Sequence, residues 1–148
     1  MQQDSSSQRL VFISHSGVDT WAAKLIARGV QGCGAKPFLD VDEIEVGEDF
    51  EERIRTFLNE AHELLVILTP SALRRPYIWS ELGAVWSRKI LIVGVLLGIT
   101  ATELQSDPDI PVYLKKGNLI DVNDLDRYFQ QLRERVVGAV ADDEGIKT

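Results

Sequence analysis

Tyr77 and Glu81 stand four residues apart in the stretch His62 to Trp86, HELLVILTPSALRRPYIWSELGAVW. The apolar run Leu64 to Leu68 reads as a buried strand, Thr69-Pro70-Ser71 as its stop, and Ile78, Leu82, Val85 and Trp86 as the apolar stripe of a following helix. On that helix Glu81 falls about 100° from Leu82 and about 60° from Ile78, at the margin of the stripe. Tyr77 lies one turn earlier on the same side, so a phenol ring and a carboxylate are neighbours below a strand end. In open α/β sheets ligands bind at the carboxyl ends of the strands. Spacing alone leaves two readings open, an ordinary helix-surface glutamate and a carboxylate that serves a ligand site.

The elements that must position this pair follow from periodicity. Arg9 to Ser14 is a short apolar run and reads as a first, central strand. Ser16 to Asp19 resembles a capping box, with the Ser16 hydroxyl placed to accept the amide three residues on. Val18, Ala22, Leu25, Ile26 and Gly29 are the expected inward face of the next helix, closed by Gly29, Gly32 and Gly34. Lys36 to Leu39 is a short second strand that Pro37 confines to an edge or to the strand's first residues, and the order 2-1-3-4-5 gives it an edge. The acidic loop Asp40 to Gly47 carries Ile44 and Val46, and Phe50, Ile54, Phe57, Leu58 and Ala61 make the apolar face of a helix after it. Ile90 to Leu97 is a buried parallel strand. Gly98 to Lys116, with Pro108 and Pro111, is expected to hold little regular structure. Asn118 to Val122 is a last edge strand and Asp124 to Val140 the closing helix, with Leu125, Tyr128, Phe129, Leu132 and Val136 along one side.

Strands alternating with helices predict an α/β fold: a flavodoxin-like, five-stranded parallel sheet in the order 2-1-3-4-5 with helices on both faces. The 148 residues suffice for one domain with a real core. Residues 1–8 read as a disordered lead-in, 9–140 as the domain, and 141–148 as a charged tail or the start of a linker.

The net charge of −7 argues against a surface that neutralises the phosphates of a nucleic acid. Ten of the 23 acidic residues lie between Asp40 and Glu63, which predicts one distinctly negative face. The one cysteine, Cys33, excludes an internal disulfide and is read as packing. His15, His62 and Cys33 lack the spacing of zinc ligands, so no metal is expected. No basic and apolar leader opens the sequence, and the longest nearly apolar run, Ile90 to Ile99, is half of the ~20 residues a membrane helix needs. A cytoplasmic protein with no membrane partner is the expectation.

Several site types are missing. There is no phosphate-binding G-x-x-x-x-G-K-[ST] loop, no dinucleotide glycine fingerprint after the first strand, and no G-x-S-x-G elbow. A phosphoacceptor receiver of the same fold wants acids after the first strand and an aspartate ending the third. Those places hold Ser14-His15 and Thr69-Pro70.

Four blocks in order carry a resemblance: FISHSGVD from Phe12, FLDVDEIEVGEDFEERI from Phe38, LLVILTPSAL from Leu64 and YIWSEL from Tyr77. Together they resemble a Toll/interleukin receptor (TIR) domain over about Leu10 to Val95, and the C-terminal third is similar only in general plan. The resemblance implies a flavodoxin-like fold and, in the enzymatic branch that includes many bacterial members, cleavage of the nicotinamide–ribose bond of NAD. It implies that Glu81 is the catalytic glutamate and Tyr77 the aromatic four residues before it, a tyrosine where animal and many bacterial members have tryptophan. Phe38 matches a family aromatic near the substrate. Ser14, His15, Asp40 and Ser71 line the same strand-end crevice by position. Against these roles stand plain alternatives: core packing for Phe38, and capping of helix or loop amides for Ser14 and Ser71. The segment Asp42, Glu43, Ile44, Glu45, Val46, Gly47 matches the family's TIR-to-TIR contact loop, and its alternative is a solvated acidic loop.

The expectation is therefore an enzyme that consumes NAD+ as a substrate, with no cofactor, giving ADP-ribose or a cyclised product, in bacterial immunity against phage and with self-association through that loop. A non-enzymatic adaptor assembling through homotypic TIR contacts is the competing reading. A nucleoside deoxyribosyltransferase-like enzyme, which also uses a glutamate on a related fold, is a third.

Overall fold

The computed structural model describes residues 8–39, 59–74, 90–108, 110 and 118–147, with side chains of the last helix described as far as residue 138. Five strands run β1 (Leu10–Ser14), β2 (Lys36–Leu39), β3 (Glu63–Leu68), β4 (Leu91–Leu96) and β5 (Asn118–Asp121). Among the described residues the helices are α1 (Thr20–Gly32), α2 (Ala101–Ser106) and α3 (Leu125–Lys147). All strand pairs are parallel, in the order β2-β1-β3-β4-β5, as the alternation of elements predicts. Every strand therefore ends on one edge of the sheet, with Ser14, Leu39, Leu68, Leu96 and Asp121 along it.

Successive side chains of a strand point to opposite faces, and the core divides accordingly. Phe12, Phe38, Leu64, Val66, Leu68, Ile92 and Leu96 pack on one face together with Leu104 of α2. Val11, Ile13, Leu65, Ile67, Val93 and Val95 pack on the other, under α1 and α3. Because both faces are covered, β3 is buried along its whole length and reads as an unbroken apolar run after its first residue.

The buried face of α1 holds the expected Ala22, Ile26 and Gly29 but not Val18 or Leu25. Ala22, Ala23, Ile26, Ala27 and Val30 face inward, whereas Val18, Trp21 and Leu25 are 69%, 61% and 55% exposed. The contact face is built from alanines because the helix sits close to the sheet and to α3. A Cβ added at Gly29 would lie 2.2 Å from the Phe129 ring, so only glycine admits α3 there. The helix ends in a Schellman motif: the Gly34 N–H bonds Gln31 O at 3.0 Å, the Ala35 N–H bonds Val30 O at 3.3 Å, and Gly34 takes φ +90°.

The Ser16 cap does not form. The main-chain carbonyl of Ser16 accepts the Asp19 N–H at 2.8 Å and closes a 3-10 turn over Gly17–Asp19, which delays the α-helix to Thr20. A complete capping box forms instead at Thr100, in the segment expected to be irregular. Its hydroxyl accepts the Glu103 N–H at 3.1 Å while the Glu103 carboxylate accepts the Thr100 N–H at 3.2 Å, and α2 follows. The signature T-x-x-E stands in the sequence just ahead of Leu104, which the fold buries. The closing helix continues to Lys147, past its expected end at Val140.

Candidate active site at the strand ends

β1 delivers Ser14 and His15 to the carboxyl edge of the sheet, both fully buried. The Ser14 hydroxyl meets no hydrogen-bond partner among the described residues, so it caps nothing there. A buried hydroxyl is costly to leave unmade. His15 Nε2 lies 3.3 Å from the Thr20 hydroxyl, which in turn donates to Gly17 O at 2.8 Å, fixing the ring against the start of α1.

Thr69, the residue after β3, ties this corner together. Its hydroxyl donates to Asp19 Oδ2 at 2.6 Å and accepts the Ala72 N–H at 3.1 Å. The loop after β1 is thereby bonded to the loop after β3, and the ion-assisted bond is the stronger kind. Sequence reasoning named Thr69 as a strand stop and Asp19 in a helix start but did not pair them, since they are 50 residues apart. The available signal was a threonine closing a buried strand opposite an aspartate opening a helix.

The four expected site residues among those described, Ser14, His15, Phe38 and Ser71, stand in different surroundings. Ser14 and His15 share the buried corner, and Ser71 lies beyond β3 on an exposed turn, where Thr69 rather than Ser71 takes the capping of the Ala72 amide. Phe38 is fully buried near the end of β2, its ring centroid 5.2 Å from that of Phe12 in the core. Glu81, Tyr77, Asp40 and the segment Asp42 to Gly47 lie outside the described residues, as do the helices expected after Gly47 and across Ile78 to Trp86.

A family model for the TIR domain matches residues 11–137. The chain belongs to the TIR family. Its fold is that of the TIR domain of the Toll-related receptor TRR-2 from Hydra magnipapillata, with a TM-score of 0.65 at 18% identity over 83% of this chain and 97% of that one. The TIR domains of the activated Roq1 resistosome, which directly recognises the pathogen effector XopQ, superpose with a TM-score of 0.59 at 15% identity over 89% of this chain and 83% of that one. In sequence this TIR domain is 31% identical over 129 residues to a Brachypodium distachyon protein named as a probable 2′ cyclic ADP-D-ribose synthase, BdTIR. The match takes in 84% of the chain and 54% of that protein, so the chain spans about half the length of this relative.

The opposite edge of the sheet holds a different kind of polar cluster. Glu63, the first residue of β3, is fully buried and receives Arg9 Nε, the Tyr128 hydroxyl at 3.0 Å, and a two-point contact from Arg135, Nε at 2.8 Å and Nη2 at 3.0 Å. Burial alone would push the Glu63 carboxyl up, but the hydrogen bonds and charges of Arg135 and Arg9 outweigh it and hold the group below the usual carboxylate range. Burial, with the neighbouring Glu63 charge, pushes the Tyr128 phenol far up, so it stays a donor. Beside them His62 and Leu10 bond reciprocally: His62 Nδ1 accepts the Leu10 N–H at 2.8 Å and the His62 N–H donates to Leu10 O at 2.9 Å. No helix among the described residues is long and apolar enough to cross a membrane.

Proposed function

We propose that this TIR domain cleaves the nicotinamide–ribose bond of NAD+ at the carboxyl edge of its sheet, with Glu81 as the catalytic carboxylate. The observation that carries the reading is the 31% identity to a relative named as a probable cyclic ADP-ribose synthase. The block YIWSEL, with its glutamate four residues after an aromatic, supports it.

The chemistry follows from the substrate. The C1′–N bond breaks with its electron pair going to the nicotinamide, which leaves as a neutral molecule, so no further cofactor is required. Positive charge develops on the ribose, and a fixed carboxylate stabilises it and hydrogen-bonds the ribose hydroxyls. That attraction grows wherever the local dielectric falls. Attack at C1′ by water gives ADP-ribose, and attack by a hydroxyl elsewhere in the molecule gives a cyclic product. Tyr77 holds a flat ring of the substrate by stacking, and the buried Ser14 hydroxyl supplies an uncommitted polar group beside the crevice. The acidic segment Asp42 to Gly47 joins neighbouring copies, and the product serves bacterial immunity against phage as a signal or through depletion of NAD+.

The test is nicotinamide release by the purified protein, dilute and then concentrated, beside Glu81→Ala, with products separated by chromatography. Release that rises with assembly and vanishes in the variant is expected. An unchanged rate in Glu81→Ala refutes the assignment, and absence of turnover in every state favours the adaptor.

A further inference from the structure

A cleft of about 410 Å³ opens between α3 and the β4–β5 edge of the sheet. Its floor is apolar, from Leu91, Val93 and Ile120, and its wall is the stripe Arg127, Gln131 and Arg135. Leu91 and Asn118 are the first residues of β4 and β5, so the cleft lies at the amino edge of the sheet, away from the strand ends that carry Ser14 and His15.

The charge of this cleft runs against that of the chain. The protein carries −7 overall, yet among the described residues the charged groups lining the cleft are two arginines and no acid. Glu63 does not cancel them, because one carboxylate there faces the two guanidiniums of Arg9 and Arg135 and leaves a positive charge in excess. Arg135 is also held in place. Its Nε and Nη2 are bonded to Glu63 and its guanidinium stands 5.7 Å from the centre of the Tyr128 ring, while 27% of its side chain stays exposed where it lines the cleft. Arg127 is exposed and lies two turns earlier on the same face, roughly 12 Å along the axis, with the Gln131 amide between them.

We propose that this cleft is a second ligand site, which takes a nucleoside diphosphate. The phosphates lie along the Arg127–Gln131–Arg135 stripe and a ring of the ligand rests on Leu91, Val93 and Ile120. A fixed guanidinium at one end and a mobile one at the other suit an anion of two linked phosphates better than a single phosphate. The apolar floor adds affinity that an inorganic anion cannot draw on.

The experiment follows backbone amide shifts of the whole chain while ADP, adenosine or inorganic phosphate is added, in the wild type and in Arg127→Glu. ADP is expected to move the amides of Leu91, Asn118 and Gln131, to bind about tenfold or more tightly than adenosine or phosphate, and to lose about tenfold in affinity in the variant. Arg127 is exposed, so the urea midpoint should stay where it is. Cleft amides that ignore ADP, that respond to it equally in Arg127→Glu, or that respond to phosphate as well as to ADP would overturn the proposal. Shifts at Ser14 and Thr69 report on the strand-end crevice separately, and the assignment of NAD+ cleavage neither supports nor needs the cleft.

Discussion

At the amino edge of the sheet a single buried carboxylate, Glu63, is met by two arginines and a tyrosine from β1's lead-in and α3. At the carboxyl edge the Ser14 hydroxyl is just as buried and meets nothing among the described residues, while Asp19 and Thr69 link two loops through one hydroxyl. Both edges are polar inside a parallel sheet, and both incur the desolvation of burying such groups. Among the described residues the Glu63 carboxylate recovers it and the Ser14 hydroxyl does not. The network occupies both Glu63 oxygens and ties α3 to the sheet, whereas the Ser14 hydroxyl is unmatched among the described residues. The matched network gives the amino edge a role in stability, and the proposed function puts its chemistry at the carboxyl edge.

Glu63→Ala tests the first half most severely. It leaves two guanidiniums and a phenol facing each other without their acceptor, and a loss of about 3–5 kcal/mol is expected in urea unfolding. A loss below about 1 kcal/mol would mean that water satisfies these groups and the network is not a clamp.

Thr69→Val should separate the edges. It removes the bond to Asp19 and the cap on the Ala72 amide, for a stability loss of about 1–2 kcal/mol. Nicotinamide release is expected to fall in this variant by more than its unfolded fraction explains, because the loops after β1 and β3 are no longer held together. Turnover that simply tracks stability would make the carboxyl edge as structural as the amino edge.

Acid titration gives a smaller effect with a definite sign. Burial first, then the charge of Arg9, lowers the His62 pKa from its ordinary 6.5, against the opposing pull of Glu63, and Nδ1 must stay unprotonated to accept the Leu10 N–H. The folded state therefore binds this proton less readily than the unfolded one. The His62 contribution to stability is complete above pH 6.5 and declines as the pH falls below it. Glu63, also lowered, contributes a second decline that begins below its ordinary 4.5. His62→Asn, which offers an acceptor that does not titrate, should remove the upper stage and leave the lower one. Persistence of both stages would assign the upper one to another group.

These two edges were not equally legible in the sequence. The five strands and the seat of Tyr128 and Leu132 follow from local periodicity, and the sheet order from the alternation of strands with helices. The partners of Glu63 stand 54, 65 and 72 residues away, so the glutamate read as the last of an acidic run and the strand was expected to begin at Leu64. The face of α1 was set partly off, at Val18 and Leu25, because large apolar residues outweigh Ala23 and Ala27 in a hydrophobic pattern, while the close packing favours those alanines. Thr100 was passed over because Pro108 and Pro111 dominate the reading of its segment. Strand-end logic and family resemblance lead to the expectation of a crevice at Ser14 and His15 but carry no information on the Asp19–Thr69 tie.

The most direct test of the division between edges is nicotinamide release by Glu81→Gln, read beside its urea midpoint. The substitution keeps the shape of the side chain and removes only its charge. Turnover reduced by about a hundredfold or more at an unchanged midpoint is the predicted result. A midpoint that falls while turnover per folded molecule holds would contradict the account and make Glu81 a structural residue.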